Sequence, residues 1–144
     1  MSSDRLDAQK LRGILRDYPY IAAAYLFGSQ VSGKTSHTSD TDIAILLDDN
    51  APTGRQLVHE EDYLAYRIAK ALEIKKVDLM DLNGQGLVFQ HTILRTGILI
   101  YEADPAVRIP FVAKVISYFC DFEPTLRLME RYRIEGLLER CGKQ

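Results

Sequence analysis

Residues 26–47 read LFGSQVSGKTSHTSDTDIAILL. The stretch carries two phosphate-handling patterns that share their first glycine. Gly28 to Thr35, GSQVSGKT, satisfies the P-loop pattern G-x-x-x-x-G-K-[ST]. Gly28-Ser29, then ten residues, then Asp40-Thr41-Asp42 is the second pattern: a glycine–serine turn followed by two carboxylates one residue apart. Both imply a nucleotide, through unrelated mechanisms.

A P-loop needs a strand, the loop, and a helix whose N-terminus faces the phosphates. Residues 20–27, YIAAAYLF, supply a buried strand. The helix is missing. After Lys34-Thr35 only SHTSDT precedes the next strand, DIAILL at 42–47, and those residues are polar and turn-prone with no apolar stripe. A parallel crossover needs a dozen or more residues, usually including a helix. The second strand is therefore too near to be a parallel neighbour reached by a crossover, and the P-loop match is a coincidence of a Gly/Ser/Thr-rich loop.

The second pattern fits its context. Asp40 and Asp42 stand at the start of a strand, where alternate side chains share a face. Two such carboxylates repel each other unless a cation sits between them, and Mg²⁺ takes one or two carboxylates together with phosphate oxygens. Gly28 lets the backbone approach phosphate closely, and Ser29 adds a hydroxyl and an N–H. This arrangement resembles the nucleotidyltransferase fold of the DNA polymerase beta superfamily. The short chain resembles its minimal members, the antitoxins paired with HEPN-domain toxins, over residues 20–103 and more loosely along the tail.

That resemblance implies transfer of AMP from ATP, with Mg²⁺, to a tyrosine hydroxyl of a partner HEPN ribonuclease, which the modification inactivates. It implies Asp40, Asp42 and a third carboxylate from a later strand as catalytic metal ligands. Asp78 in KKVDLMDL is the candidate; Asp81 is the runner-up but falls on the opposite face by parity. Gly28, Ser29 and Lys34 would contact the triphosphate. Family members often carry arginines just after the serine. Here Gln30 and Ser32 occupy that loop and Lys34 is its only cation, which lowers the expected grip on triphosphate. Two other functions stay open: a purely binding antitoxin with a degenerate site, and a small-molecule nucleotidyltransferase of the aminoglycoside type.

The rest of the chain frames this site. Its 144 residues set one domain as the default. A net charge of −2 argues against a protein whose main task is to coat nucleic acid. Two cysteines outside any CxxC motif and a polar N-terminus without a signal-peptide core fit a reducing cytosol, and no apolar run is long enough to span a membrane. Helices are expected over 4–17, capped by Ser3 or Asp4, over 55–73 and over 87–94. Further strands are expected at 75–82 and 97–102. The fold class is α/β, with a small mixed sheet flanked by helices.

The expected domain plan is a nucleotidyltransferase core over 1–103 and a helical C-terminal extension over 104–144. Pro110 and Pro124 divide that extension into two helices, about 110–121 and 124–140. Phe111, Val115 and Phe119 form an i, i+4, i+8 stripe that must be buried. Tyr118, Phe122, Tyr132 and Ile134 exceed what one sheet face can cover, so the second helix is expected to dock the partner. His37, His59 and His91 share no ligand spacing. Arg55 and His59 are spaced R-x3-H, shorter than the HEPN motif, so the chain is not itself the toxin.

Overall fold

The computed structural model describes residues 2–28 and 40–142. The element order is α1 (Ser2–Leu15), β1 (Ile21–Phe27), β2 (Thr41–Leu47), α2 (Gly54–Leu72), β3 (Val77–Asp81), α3 (Leu87–Thr96), β4 (Ile98–Glu102) and α4 (Pro105–Gly142). The strands form one mixed sheet in the order β3-β2-β1-β4. β1 pairs antiparallel with β2 and with β4, while β2 and β3 run parallel. The antiparallel β1–β2 pair removes the parallel neighbour that a P-loop core requires. The parallel β2–β3 step is instead bridged by α2, as such a crossover demands.

Period-two alternation sends the side chains of β1 and β2 to two separate cores. Ile43, Ile45, Leu47 and Val77 face one side, where α1 contributes Leu11 and Leu15 and α2 contributes Leu64 and Ile68. Ala44, Leu46 and Tyr25 face the other, where α3 contributes Ile93 and Leu94 and the start of α4 contributes Val107 and Phe111. The central strands are covered on both faces, which is why they read as unbroken apolar runs rather than alternating ones. Beyond β3, the Asn83 side chain accepts from Leu47 N–H at 2.8 Å and donates to Leu47 C=O at 2.9 Å, prolonging the ladder without another strand.

Two local expectations are corrected. α1 already starts at Ser2, so neither Ser3 nor Asp4 is its cap. The two-helix tail is a single 38-residue helix with Pro110 and Pro124 inside it. Each proline removes one N–H from the ladder, at a cost of about 3 kcal/mol. No glycine or turn cluster beside either proline offers the chain another path. Contacts also hold the first half of α4 in line: Val115 is buried, and Phe119 stacks on His91 of α3 with ring centroids 3.6 Å apart.

Candidate active site

The β2–β3 register decides the site. Asp42 is the direct cross-strand partner of Asp78, so the two carboxyls stand side by side on the α3/α4 face. Asp40 precedes β2 by one residue and is exposed. Burial first, then the charges of Asp78 and Asp40 and a hydrogen bond between the Asp42 and Asp78 carboxyls, raise the Asp42 pKa above its ordinary value. Like charge converging on one strand end is the condition that a bound divalent cation would relieve.

Gly28 closes the other side of Asp42. It follows β1 at φ +80°, and a Cβ built on it would lie 2.4 Å from Asp42 Oδ2. Phe27 is the register partner of Asp42, and its ring meets Phe89 of α3 edge to face at 5.9 Å. The carboxyls are thus bordered by backbone without a side chain and by an aromatic wall. The donor set of hard oxygens suits Mg²⁺. Among the described residues no three acidic, histidine or cysteine side chains already converge on one point as a formed cage. Asp42 and Asp78 make a preassembled pair, and Asp40 is drawn near as a third charge.

Asp81, the runner-up, falls on the opposite face from Asp78. It lies on the α2 face, where the Glu61 carboxyl meets it. Ser29 and Lys34, with Gln30 and Ser32, fall outside the described residues. One group escaped the sequence reading: Lys76, whose Nζ lies 3.4 Å from Asp78 Oδ1. Parity could have found it, because Lys76 and Asp78 are i, i+2 in KKVD and therefore share a face. Arg55 and His59 are exposed on α2, away from this strand end.

An antiparallel pair that turns through a left-handed glycine into a strand headed by aspartates, with a parallel neighbour returning another aspartate, defines a nucleotidyltransferase. The family model described as polymerase beta, nucleotidyltransferase, matches residues 9–106. The chain belongs to that family. It is 30% identical over 135 residues to a protein adenylyltransferase, MntA, of Aphanizomenon flos-aquae (strain 2012/KM1/D3), covering 90% of this chain and 88% of that one.

Two solved structures extend the likeness. One, described as a toxin–antitoxin with AMP-PNP, superposes with a TM-score of 0.67 at 27% identity, over 91% of this chain and 98% of the other. The second is described as a tri-AMPylated Shewanella oneidensis HEPN toxin in complex with an MNT antitoxin. It gives a TM-score of 0.64 at 26% identity, over 93% of this chain and 98% of the matched chain. Among the described residues no helix is long and apolar enough to cross a membrane.

Proposed function

We propose that this nucleotidyltransferase moves AMP from ATP to a tyrosine hydroxyl of a HEPN ribonuclease toxin in the cytosol and thereby silences it. The observation that carries the reading is the side-by-side placement of Asp42 and Asp78 against Gly28. The similar proteins supply the substrate class: one is named a protein adenylyltransferase, one assembly holds AMP-PNP, and one holds an AMPylated toxin.

Asp40, Asp42 and Asp78 would hold Mg²⁺. When bound, the metal supplies charge neutralisation at the attacking and leaving oxygens of an in-line displacement. The chain's own groups do the positioning. Gly28 and Ser29 take the β- and γ-phosphates. Lys34 and Lys76 add positive charge where the pyrophosphate charge grows. The tyrosine oxygen attacks the α-phosphorus, the new O–P bond forms, and the bond to pyrophosphate breaks. Asp78 receives the hydroxyl proton.

The extension over 104–144 contributes the toxin contact. On α4 the core-facing stripe of Val115 and Phe122 continues outward through Leu126, Met129 and Leu137, and Met129 and Leu137 are 58% and 48% exposed. Exposed apolar anchors of this kind, rimmed by arginine, suit a protein interface. The start of α4 that this stripe prolongs packs on the carboxylate side of the sheet through Val107 and Phe111.

The test is transfer of α-labelled ATP to a purified HEPN toxin in the presence of Mg²⁺. Label should appear on the toxin, disappear with Asp42→Asn, and disappear when the acceptor tyrosine is replaced by phenylalanine. Binding without label would favour the non-catalytic antitoxin, and label on an aminoglycoside instead would favour the small-molecule enzyme.

A further inference from the structure

From Arg127 to Cys141 every residue of α4 is exposed except the half-buried Gly136. The stretch is not a solvated polar rod. Leu128 is 51% exposed, Tyr132 65%, Ile134 54% and Leu138 67%. At 3.6 residues per turn each residue advances about 100° around the helix. Leu128, Arg131, Glu135 and Leu138 then fall within an arc of about 80°, spaced three, four and three residues apart. This is the spacing of a coiled-coil seam. It faces away from Val115 and Phe122, so the chain's own core does not cover it.

The seam matches itself when reversed. Reading outward from Arg133, Leu128 and Leu138 lie at equal distances, and so do Arg131 and Glu135. We propose that two copies of this chain pair through the seam, antiparallel, about a two-fold axis level with Arg133. Leu128 of one copy then meets Leu138 of the other, and Arg131 meets Glu135, in four layers. Arg133 itself points to the opposite side of the helix, so the two like charges do not meet. Tyr132 and Ile134 flank the seam, one on each side, next to the axis.

The pattern selects this register over its neighbours. Sliding the second copy by one layer sets Leu128 against Glu135 and Arg131 against Arg131, or Arg131 against Leu138 and Glu135 against Glu135. Parallel pairing in register sets Arg131 on Arg131 and Glu135 on Glu135. Within one chain Arg131 Nε and Glu135 Oε1 lie 3.5 Å apart as an exposed i, i+4 pair, and such pairs contribute little. Exchanged between copies and bounded by leucines, the same charges fix orientation and register, the best-attested role of polar layers in helical assemblies.

The test is sedimentation velocity of the full chain over a micromolar concentration series, with two variants. Arg131→Glu makes the central layers all acidic, and Glu135→Arg makes them all basic. Wild type should show a monomer–dimer equilibrium. Each variant alone should dimerise at least about tenfold more weakly, with unchanged far-UV circular dichroism. An equimolar mixture of the two should regain the dimer, because acidic and basic seams complement each other. The proposal is overturned if wild type stays monomeric throughout, or if the variants dimerise like wild type. It is equally overturned if the variants alter only capture of a HEPN toxin, which would give this face to the partner instead.

Discussion

β3 carries two aspartates, and each meets an acid from a neighbouring element on opposite faces of the sheet. Asp78 stands beside Asp42 at the strand end where β1 turns through Gly28. Asp81 meets Glu61 of α2. Both pairs crowd like charge, yet they resolve it differently. Asp78 has 43% of its side chain exposed, a lysine beside it, and room next to a residue without Cβ. Glu61 has one carboxyl oxygen sealed from solvent and without a hydrogen-bond partner. Burial first, then the Asp81 charge and hydrogen bond, push Glu61 up to about 7. The open pair has room for an ion; the closed pair favours the protonated form. Access, rather than the number of carboxylates, separates the candidate reaction centre from a structural contact.

The largest expected effect breaks the open pair. Asp42→Asn is near-isosteric, so folding should survive while transfer of labelled AMP falls at least about 10²–10³-fold, the usual loss when one charge-stabilising group is removed. Mg²⁺ should raise the melting temperature of wild type and leave that of Asp42→Asn unmoved. Full activity in the variant would end the assignment of the carboxylates. Gly28→Val should be nearly as severe, because its Cβ would press on the Asp42 carboxylate from a backbone that β-branched residues avoid.

A smaller change sharpens the part played by the lysine. Lys76→Ala should lower transfer only about two- to fivefold, the scale of one exposed charge contact, with the loss greater at low ionic strength. Lys34→Ala should likewise be partial. A Lys34→Ala protein as inactive as Asp42→Asn would instead make Lys34 a principal phosphate contact.

The smallest effect belongs to the closed pair and concerns stability alone. Glu61 binds its proton more tightly in the folded protein, where it titrates near 7, than in the unfolded chain, near 4.5. The folded state therefore holds the extra proton across that window. Stability contributed by this group is complete below about 4.5, falls as pH rises, and is gone above about 7. Glu61→Gln should remove the fall. Urea denaturation should find the variant more stable than wild type at pH 8 by on the order of 1–2 kcal/mol, after allowance for solvent screening. The two proteins should be alike at pH 5, with transfer unchanged. A variant less stable at pH 8 would show that the Glu61 carboxylate makes a favourable contact.

The open pair was legible in the sequence and the closed one was not, for a physical reason. Alternation within a strand is local, so the separation of Asp78 from Asp81 followed from parity, and a short polar link between 35 and 42 ruled out a crossover. The meeting of Glu61 with Asp81 is a tertiary contact between a helix and a strand, and no spacing encodes it. Lys76 is readable by the same parity, but a basic residue just ahead of a strand carries no signal of its own. The prolines misled because a proline rule describes a cost, and packing on α3 together with the lack of a nearby turn outweighs it. Of the phosphate-contacting candidates, Gly28 is placed beside Asp42, while Ser29 and Lys34 lie outside the described residues.

The proline at 124 has a kinetic consequence. Without its N–H, the carbonyl of Cys120 lacks the usual donor four residues on. This missing rung falls where the buried stretch of α4 gives way to the exposed one. In hydrogen–deuterium exchange α4 should therefore behave as two opening units. Amides before Cys120 would be protected to nearly the global unfolding limit, while those beyond Thr125 would exchange through local opening. Pairing of the exposed half with any other chain should slow that second group alone.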